Sequence, residues 1–360
     1  MNKRLKKLIA AILLVLLAIT PIVLLRKLDH SLIHHGGVLT GLPAGRTLWI
    51  NSNDAVSLQF TASDSGRFRN GDSVVSAELC SLRAHTHVSI VQLNSYLARH
   101  TASIPEQWSI SPDRNWLLFQ CDFEGNGWSS GSRWAAFSLI HPELPVVAPQ
   151  PTGSRHYWTE RNDAACWLPD SERILTSSSE SDSTVLLSSV RMPWTQPSHV
   201  PFAHTTLYSQ ICTRDGVLYQ LMAPQNKTTE FVEIASQGIY PSRVPRNSWR
   251  AKVPASGTLT EVAMSPDATK ILWAVSSISH SRMFPILQKM LPKYAPHFAP
   301  KDVVAVYLTD AHGGNVQWLG SEDTPVLDKN SRISNLTWLP DSRSFSFGYK
   351  QAVYRTEVAR

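Results

Sequence analysis

Gly127-Trp128-Ser129-Ser130-Gly131 fits G-x-S-x-G, the pattern that presents a nucleophilic serine on a sharp strand-to-helix turn. The chemistry needs a strand before the turn and a helix after it. Here the string EGNGWSSGSR is rich in Gly, Asn and Ser and lies between two β-type runs, so it reads as a hairpin loop carrying an exposed Trp128. His85-Thr86-His87 sets two imidazoles two residues apart, which on a strand puts both on one face. Such a pair chelates weakly, and no H-x-x-x-H spacing or assignable carboxylate completes it, so no metal and no cofactor is expected. Glu106, Asp122, Glu124, Glu160 and Asp163 would act as acid and base only if the fold brought two of them together. Cys166 and Cys212 hold similar positions ahead of neighbouring turns. Two readings fit them: a disulfide between adjacent strands, or free buried thiols like those expected of Cys80 and Cys121. No residue is assigned a catalytic role.

Recognition is the better prospect. SRMFPILQKMLPKYAPHF, within an insertion at 276–302, places Met283, Phe284, Ile286, Leu287, Met290 and Leu291 among Lys289 and Lys293. Leu287, Met290 and Leu291 fall at i, i+3, i+4, the spacing of one apolar helix face, which Pro292 ends. Packing against its own blade, docking of a partner and contact with a membrane surface all fit this segment. Trp128, Phe284, Leu287, Met290 and Leu291 are the candidate partner-binding residues. Trp158, Trp194 and Trp249 serve equally as binding platforms or as plugs between packed layers.

The elements that must position these residues repeat along the chain. WSISPDRNWLLF (108–119), ACWLPDSERILT (165–176), VAMSPDATKILW (262–273) and LTWLPDSRSFSF (336–347) share Pro-Asp at one place, with apolar alternation before it and a β-type run after it. WINSNDAVSLQF (49–60) and the stretch around Asp215-Gly216 are weaker copies. Pro presets φ for a tight turn and the following Asp caps backbone N–H groups, so Asp54, Asp113, Asp170, Asp215, Asp267 and Asp341 are structural turn residues rather than a calcium or catalytic set. Helical periodicity is nearly absent.

These residues resemble the TolB-like or WD-type propeller repeat, a strand followed by Ser-Pro-Asp-Gly and a second hydrophobic strand. The resemblance implies an all-β fold: a β-propeller of six four-stranded blades over 41–360. The fourth motif position is Arg114, Ser171, Ala268 and Ser342, with only Gly216 keeping the glycine. This departure predicts turns that do not need positive φ. The last copy runs out of chain after three strands, so residues around Gly37–Leu42 are expected to supply its fourth and close the ring, which would also hide a sheet edge.

Charge and hydropathy supply the address. The 360 residues carry a formal charge of +6, and six cations (Lys3, Arg4, Lys6, Lys7, Arg26, Lys27) fall in the first 27, which hold no acid. Removing those six from 34 basic residues leaves 28, balancing the 28 acidic ones. A balanced remainder gives no reason to expect nucleic acid. Leu8 to Leu25 is an uncharged run of 18 residues, about 27 Å as a helix and close to a bilayer's hydrocarbon thickness. Positive flanks keep 1–7 in the cytoplasm and place the rest outside; 26–40 is a linker. A transmembrane signal-anchor and a cleaved signal both fit that charge order, and the length of the run and lack of an A-x-A-like site favour the anchor. The expected protein is a single-pass, extracytoplasmic β-propeller that binds a protein or envelope component without catalysis. The alternative is a propeller enzyme acting on a polysaccharide or peptide at the channel mouth.

Overall fold

In four of the units a Pro-Asp turn joins the first two strands of an antiparallel sheet, and the apolar residues of the inner strands are buried between neighbouring sheets. The computed structural model describes residues 31–33, 36–43, 46–60, 74–99, 108–123, 131–146, 165–171, 173–177, 184–189, 198–201, 207–222, 230–238, 244–279, 289, 301–325, 333–350 and 352–358. The first blade is β2–β5 (Arg46–Trp49, Asp54–Phe60, Val74–Ser81, Thr86–Ser89), and a three-stranded second sheet is β6–β8 (Ser109–Ile110, Trp116–Phe123, Gly131–Ser138). The third blade is β9–β12 (Ala165–Trp167, Arg173–Ser177, Thr184–Ser189, Ser198–Pro201). The fourth is β13–β16 (Leu207–Cys212, Val217–Met222, Phe231–Gly238, Asn247–Lys252), and the fifth is β17–β20 (Thr258–Met264, Lys270–Ser279, Lys301–Asp310, Gln317–Pro325). The last blade, β21–β23 (Ser334–Trp338, Ser344–Tyr349, Ala352–Glu357), is completed at its outer edge by β1 (Val38–Pro43), which pairs antiparallel with β23.

The fold is an all-β propeller. The first strands of successive sheets touch in a closed cycle, β2 to β6, β9, β13, β17, β21 and back to β2. Five blades are four-stranded, which corrects the expectation of six; the second sheet has three strands among the described residues, and 147–164, where a fourth would fall, lies outside them. One short helix, α1 (Val91–Leu97), links the first blade to the second sheet. No helix among the described residues is long and apolar enough to cross a membrane, and the stretch 8–25 lies outside those residues.

The turns overturn one expectation. Arg114, Ser171, Ala268 and Ser342 sit at φ of 67°, 58°, 56° and 55°, alongside Gly216 at 78°. The fourth motif position therefore does require the left-handed region, at about 1–2 kcal/mol for a side chain with Cβ. Capping offsets that cost. Ser265 Oγ donates to Asp267 Oδ1 and accepts from the Lys270 N–H at 3.0 Å, while the Thr269 N–H donates to the same carboxylate at 3.1 Å. Ser111 with Asp113 makes the same pattern, while Thr213 donates to Asp215 and accepts from the Val217 N–H at 3.2 Å. In the first copy, Asn51 Oδ1 takes the N–H groups of Asn53 and Asp54, and Asp54 opens β3 instead of capping the turn.

Where the fourth residue is serine, its hydroxyl reaches the preceding sheet. The Asp113 N–H donates to Ser171 Oγ at 2.9 Å, and the Asp267 N–H to Ser342 Oγ at 3.2 Å. In both cases the tryptophan four residues earlier joins in. Trp167 Nε1 donates to the Ser109 carbonyl at 3.4 Å, and Trp338 Nε1 to that of Ala263 at 3.0 Å. Trp-Leu-Pro-Asp-Ser is thus a clasp, used at 167–171 and again at 338–342.

Apolar packing fills the space between sheets. Leu48, Val56 and Leu58 of the first blade meet Leu93 and Leu97 of α1 and Trp108, Leu117 and Phe119 of the second sheet, with Trp108 stacked on Phe119 at 4.5 Å. Full burial of each such side chain stabilises by about 1.5–3 kcal/mol. A second cluster joins the fifth and last blades and includes Leu32.

Candidate functional site

The wall of the ring comes first, because converging acid and base groups there would mark an enzyme. On the six first strands the only charged side chains are Arg46 and Glu261. Glu261 accepts from the Asn335 and Leu336 N–H groups at 2.9 and 2.6 Å, so this carboxylate ties the fifth blade to the last.

The N-terminal segment is the second feature. Ser31 Oγ donates to Glu322 Oε1 at 2.6 Å, the Ile33 N–H donates to the same oxygen at 3.2 Å, and Ser31 bridges Ser321 in parallel. Leu32 is buried against Gly320, whose φ is 148° and where a Cβ would lie 2.6 Å from the Leu32 Cα. Only glycine permits that approach. A hollow of about 140 Å³ opens beside it, lined by Leu32, Trp318, Phe345, Thr356 and Glu357. Residues 31–33 lie on the fifth blade and β1 pairs with the last, so together they strap the two blades.

The third feature lies on the outer edge of the first blade. Glu78 and Cys80 share one face of β4 by the period of a strand, and the β4–β5 register sets His87 directly opposite Cys80. Cys80 Sγ is 3.4 Å from His87 Nδ1, and Glu78 Oε2 is 3.7 Å from the same nitrogen. The three ligand atoms all lie within 4.8 Å of one another. Gln59 Nε2 holds the other Glu78 oxygen at 3.5 Å and is itself held by Ser76. Asn94 of α1 grips both backbone groups of Ala77 and donates to Ser89 Oγ at 2.8 Å, which fixes β5 against β4. Burial and the neighbouring Glu78 charge push the Cys80 thiol up to about 11.

His85 does not join this group. It sits in the β4–β5 turn at φ 52°, so the two imidazoles do not share a strand face. The actual partners of His87 come from the adjacent strand, and cross-strand register is not visible in a local motif. Cys212 is a free thiol, half-buried and pushed up to about 12 mainly by burial, so no disulfide joins it to Cys166. Trp249 bridges the fourth and fifth blades, with Nε1 donating to the Ala311 carbonyl at 2.9 Å and its ring against Tyr219 and His312. The insertion is shorter than its expected span: Ser276–Ser279 belong to β18 and Lys301–Asp302 to β19, so the departure from the repeat falls within 280–300. Trp128, Phe284, Leu287, Met290 and Leu291, together with Glu106, Glu124, Glu160, Asp163, Trp158 and Trp194, lie outside the described residues. Asp122 is on β7, but its side chain is not among those described.

A β-propeller is the class that this architecture defines. No protein-family model matches the chain, and no curated relative does. Among solved structures it is similar to an oligogalacturonate lyase from Vibrio parahaemolyticus, with 8% identity, TM-score 0.46, and 87% of this chain and 76% of that one covered. An oligogalacturonate lyase in complex with manganese gives 10% identity, TM-score 0.44, and coverage of 84% and 74%. A 6-phosphogluconolactonase-type protein from Bacteroides uniformis gives 10% identity, TM-score 0.41, and coverage of 86% and 92%. These neighbours are enzymes in name. The TolB-like or WD-type resemblance rests on the turn motif alone.

Proposed function

We propose that the protein is a propeller moored to a membrane by residues 8–25, displaying its ring outside the cytoplasm as a binding scaffold for a protein or envelope component. The observation that carries the non-catalytic reading is the ring wall. Its first strands hold one carboxylate, and two backbone N–H groups occupy it. The strap made by 31–33 and β1 supports the mooring, because it holds the start of the ring within a few residues of the apolar run. A rigid ring that carries variable loops suits recognition. Photo-crosslinkers placed at Trp128, Phe284 and Leu287 of the full chain in intact cells test this reading. One recurrent adduct is expected, and none at any position overturns it. Protease added to intact and permeabilised cells tests the orientation.

The second reading is a propeller enzyme acting on a polysaccharide or peptide at the channel mouth. The names of the fold neighbours, a lyase and lactonase-type proteins, agree with it. Turnover of oligogalacturonate or of a sugar lactone by the purified full chain would establish it against the scaffold.

A further inference from the structure

We propose that Glu78, Cys80 and His87 bind one divalent transition metal of the Zn2+ class on the outer edge of the first blade, with a fourth coordination position left to solvent. The proposal stands apart from the scaffold reading and does not depend on it.

The donor set is the first argument. A thiol, an imidazole nitrogen and a carboxylate oxygen are the groups that bind zinc, at about 2.3, 2.0 and 2.0–2.2 Å. Around a tetrahedral ion those bonds set sulfur about 3.5 Å from nitrogen and nitrogen about 3.4 Å from oxygen. The observed separations are 3.4 and 3.7 Å. Small rotations of two side chains bring all three onto one ion.

The second argument separates chelation from catalysis. A Cys-His-Glu relay needs the imidazole to hold the thiol with one ring nitrogen and the carboxylate with the other. Here Sγ and Oε2 both face Nδ1, so the three groups converge on a point instead of forming a chain. A bound cation takes the place of the thiol proton, which leaves to solvent, and its charge offsets that of Glu78.

The third argument is support from outside the ligands. Gln59 orients Glu78 and is held by Ser76, while Asn94 locks the two strands that carry the ligands. Metal sites depend on outer partners of this kind. An ordinary S–H···Nδ1 hydrogen bond would also place sulfur and nitrogen 3.4 Å apart, and the experiment must exclude it.

Co2+ is titrated into the full chain in detergent, with Zn2+ added afterwards. The expected result is saturable one-to-one binding, a thiolate-to-cobalt charge-transfer band, tetrahedral d–d bands, and displacement of all of these by Zn2+. Cys80→Ser removes the charge-transfer band. His87→Gln, an exposed change on an edge strand that leaves the circular dichroism intact, weakens affinity by about 10-fold or more. His85→Gln two residues away leaves affinity unchanged. No thiolate band in the wild-type chain overturns the proposal. So does a band that survives in the Cys80→Ser variant, or equal affinity in the two histidine variants.

Discussion

The joint between the fifth and last blades and the joint between the last and first blades hold adjacent sheets by different means. At the former, Trp338 and Ser342 reach back to a carbonyl and an amide of the preceding turn unit, and Glu261 takes two further N–H groups. In each of these contacts the reaching side chain meets backbone. The joint between the second sheet and the third blade repeats the clasp with Trp167 and Ser171. At the closing joint one bond runs between two side chains, a second ends on backbone, and apolar packing joins them. Trp49 Nε1 donates to Ser346 Oγ at 2.8 Å, Arg355 donates to the Ser52 carbonyl at 2.6 Å, and Leu42 of β1 packs with Trp49, Ala55, Cys80, Leu339 and Val353. Successive units share a repeat, so one backbone-directed device serves twice. The closing joint brings together sequence that is about 300 residues apart, and its contacts are particular to it.

Removing residues 1–43 should have the largest effect. It leaves the β23 edge unpaired and takes Leu32 and Leu42 out of two cores. Loss of the monomer peak in size-exclusion chromatography and of a cooperative thermal transition is expected; a monomer that melts like the full chain would show that the strap is dispensable.

Next, Trp338→Phe and Trp49→Phe each discard an indole N–H and should cost about 1–3 kcal/mol in denaturant unfolding. The comparison becomes sharper in the double variants. Ser346→Ala added to Trp49→Phe should recover part of the loss, because removing both partners leaves no buried orphan. No side-chain change can do this for Trp338, whose partner is a backbone carbonyl.

Ser171→Ala and Ser342→Ala should each cost about 1 kcal/mol, and the two values should agree if the clasp is one device. Arg114→Gly, exposed and at φ 67°, should stabilise by about 1 kcal/mol, while Gly216→Ala should destabilise by a similar amount.

Acid should produce the smallest and most local change. Burial raises the Asp267 carboxyl, but bonds from Ser265 and Thr269 and the Lys270 charge outweigh that and hold it below its usual value. A depressed folded pKa gives stability that is present above the ordinary carboxylate range and lost as pH falls through the folded value. The fifth-blade turn should therefore be stabilised in neutral buffer, and Asp267→Asn should flatten the acid limb of the stability profile.

The turn units were legible because Pro-Asp and strand alternation are local, and so were the positions of Asp113, Asp267 and Asp341 as caps. The meaning of the fourth motif position was not. Reading Ser171 and Ser342 as substitutes that relax the turn misses the hydroxyl's partner, an amide 58 or 75 residues away. His85 and His87 illustrate the same limit. Their spacing suggested a shared face, but the β4–β5 turn takes His85 out of the strand, and register pairs His87 with Cys80.

What the chain's order of residues determined by itself is the repeat: an all-β ring built from strand–turn–strand units, since φ preferences and period-two alternation act within a dozen residues. What only the tertiary structure decided is which units complete four strands, how the first strands close on one another, and which side chains meet across strands and blades. Those outcomes depend on register and on contacts between residues as far apart as Ser31 and Glu322, or Trp49 and Ser346, and no local pattern encodes them.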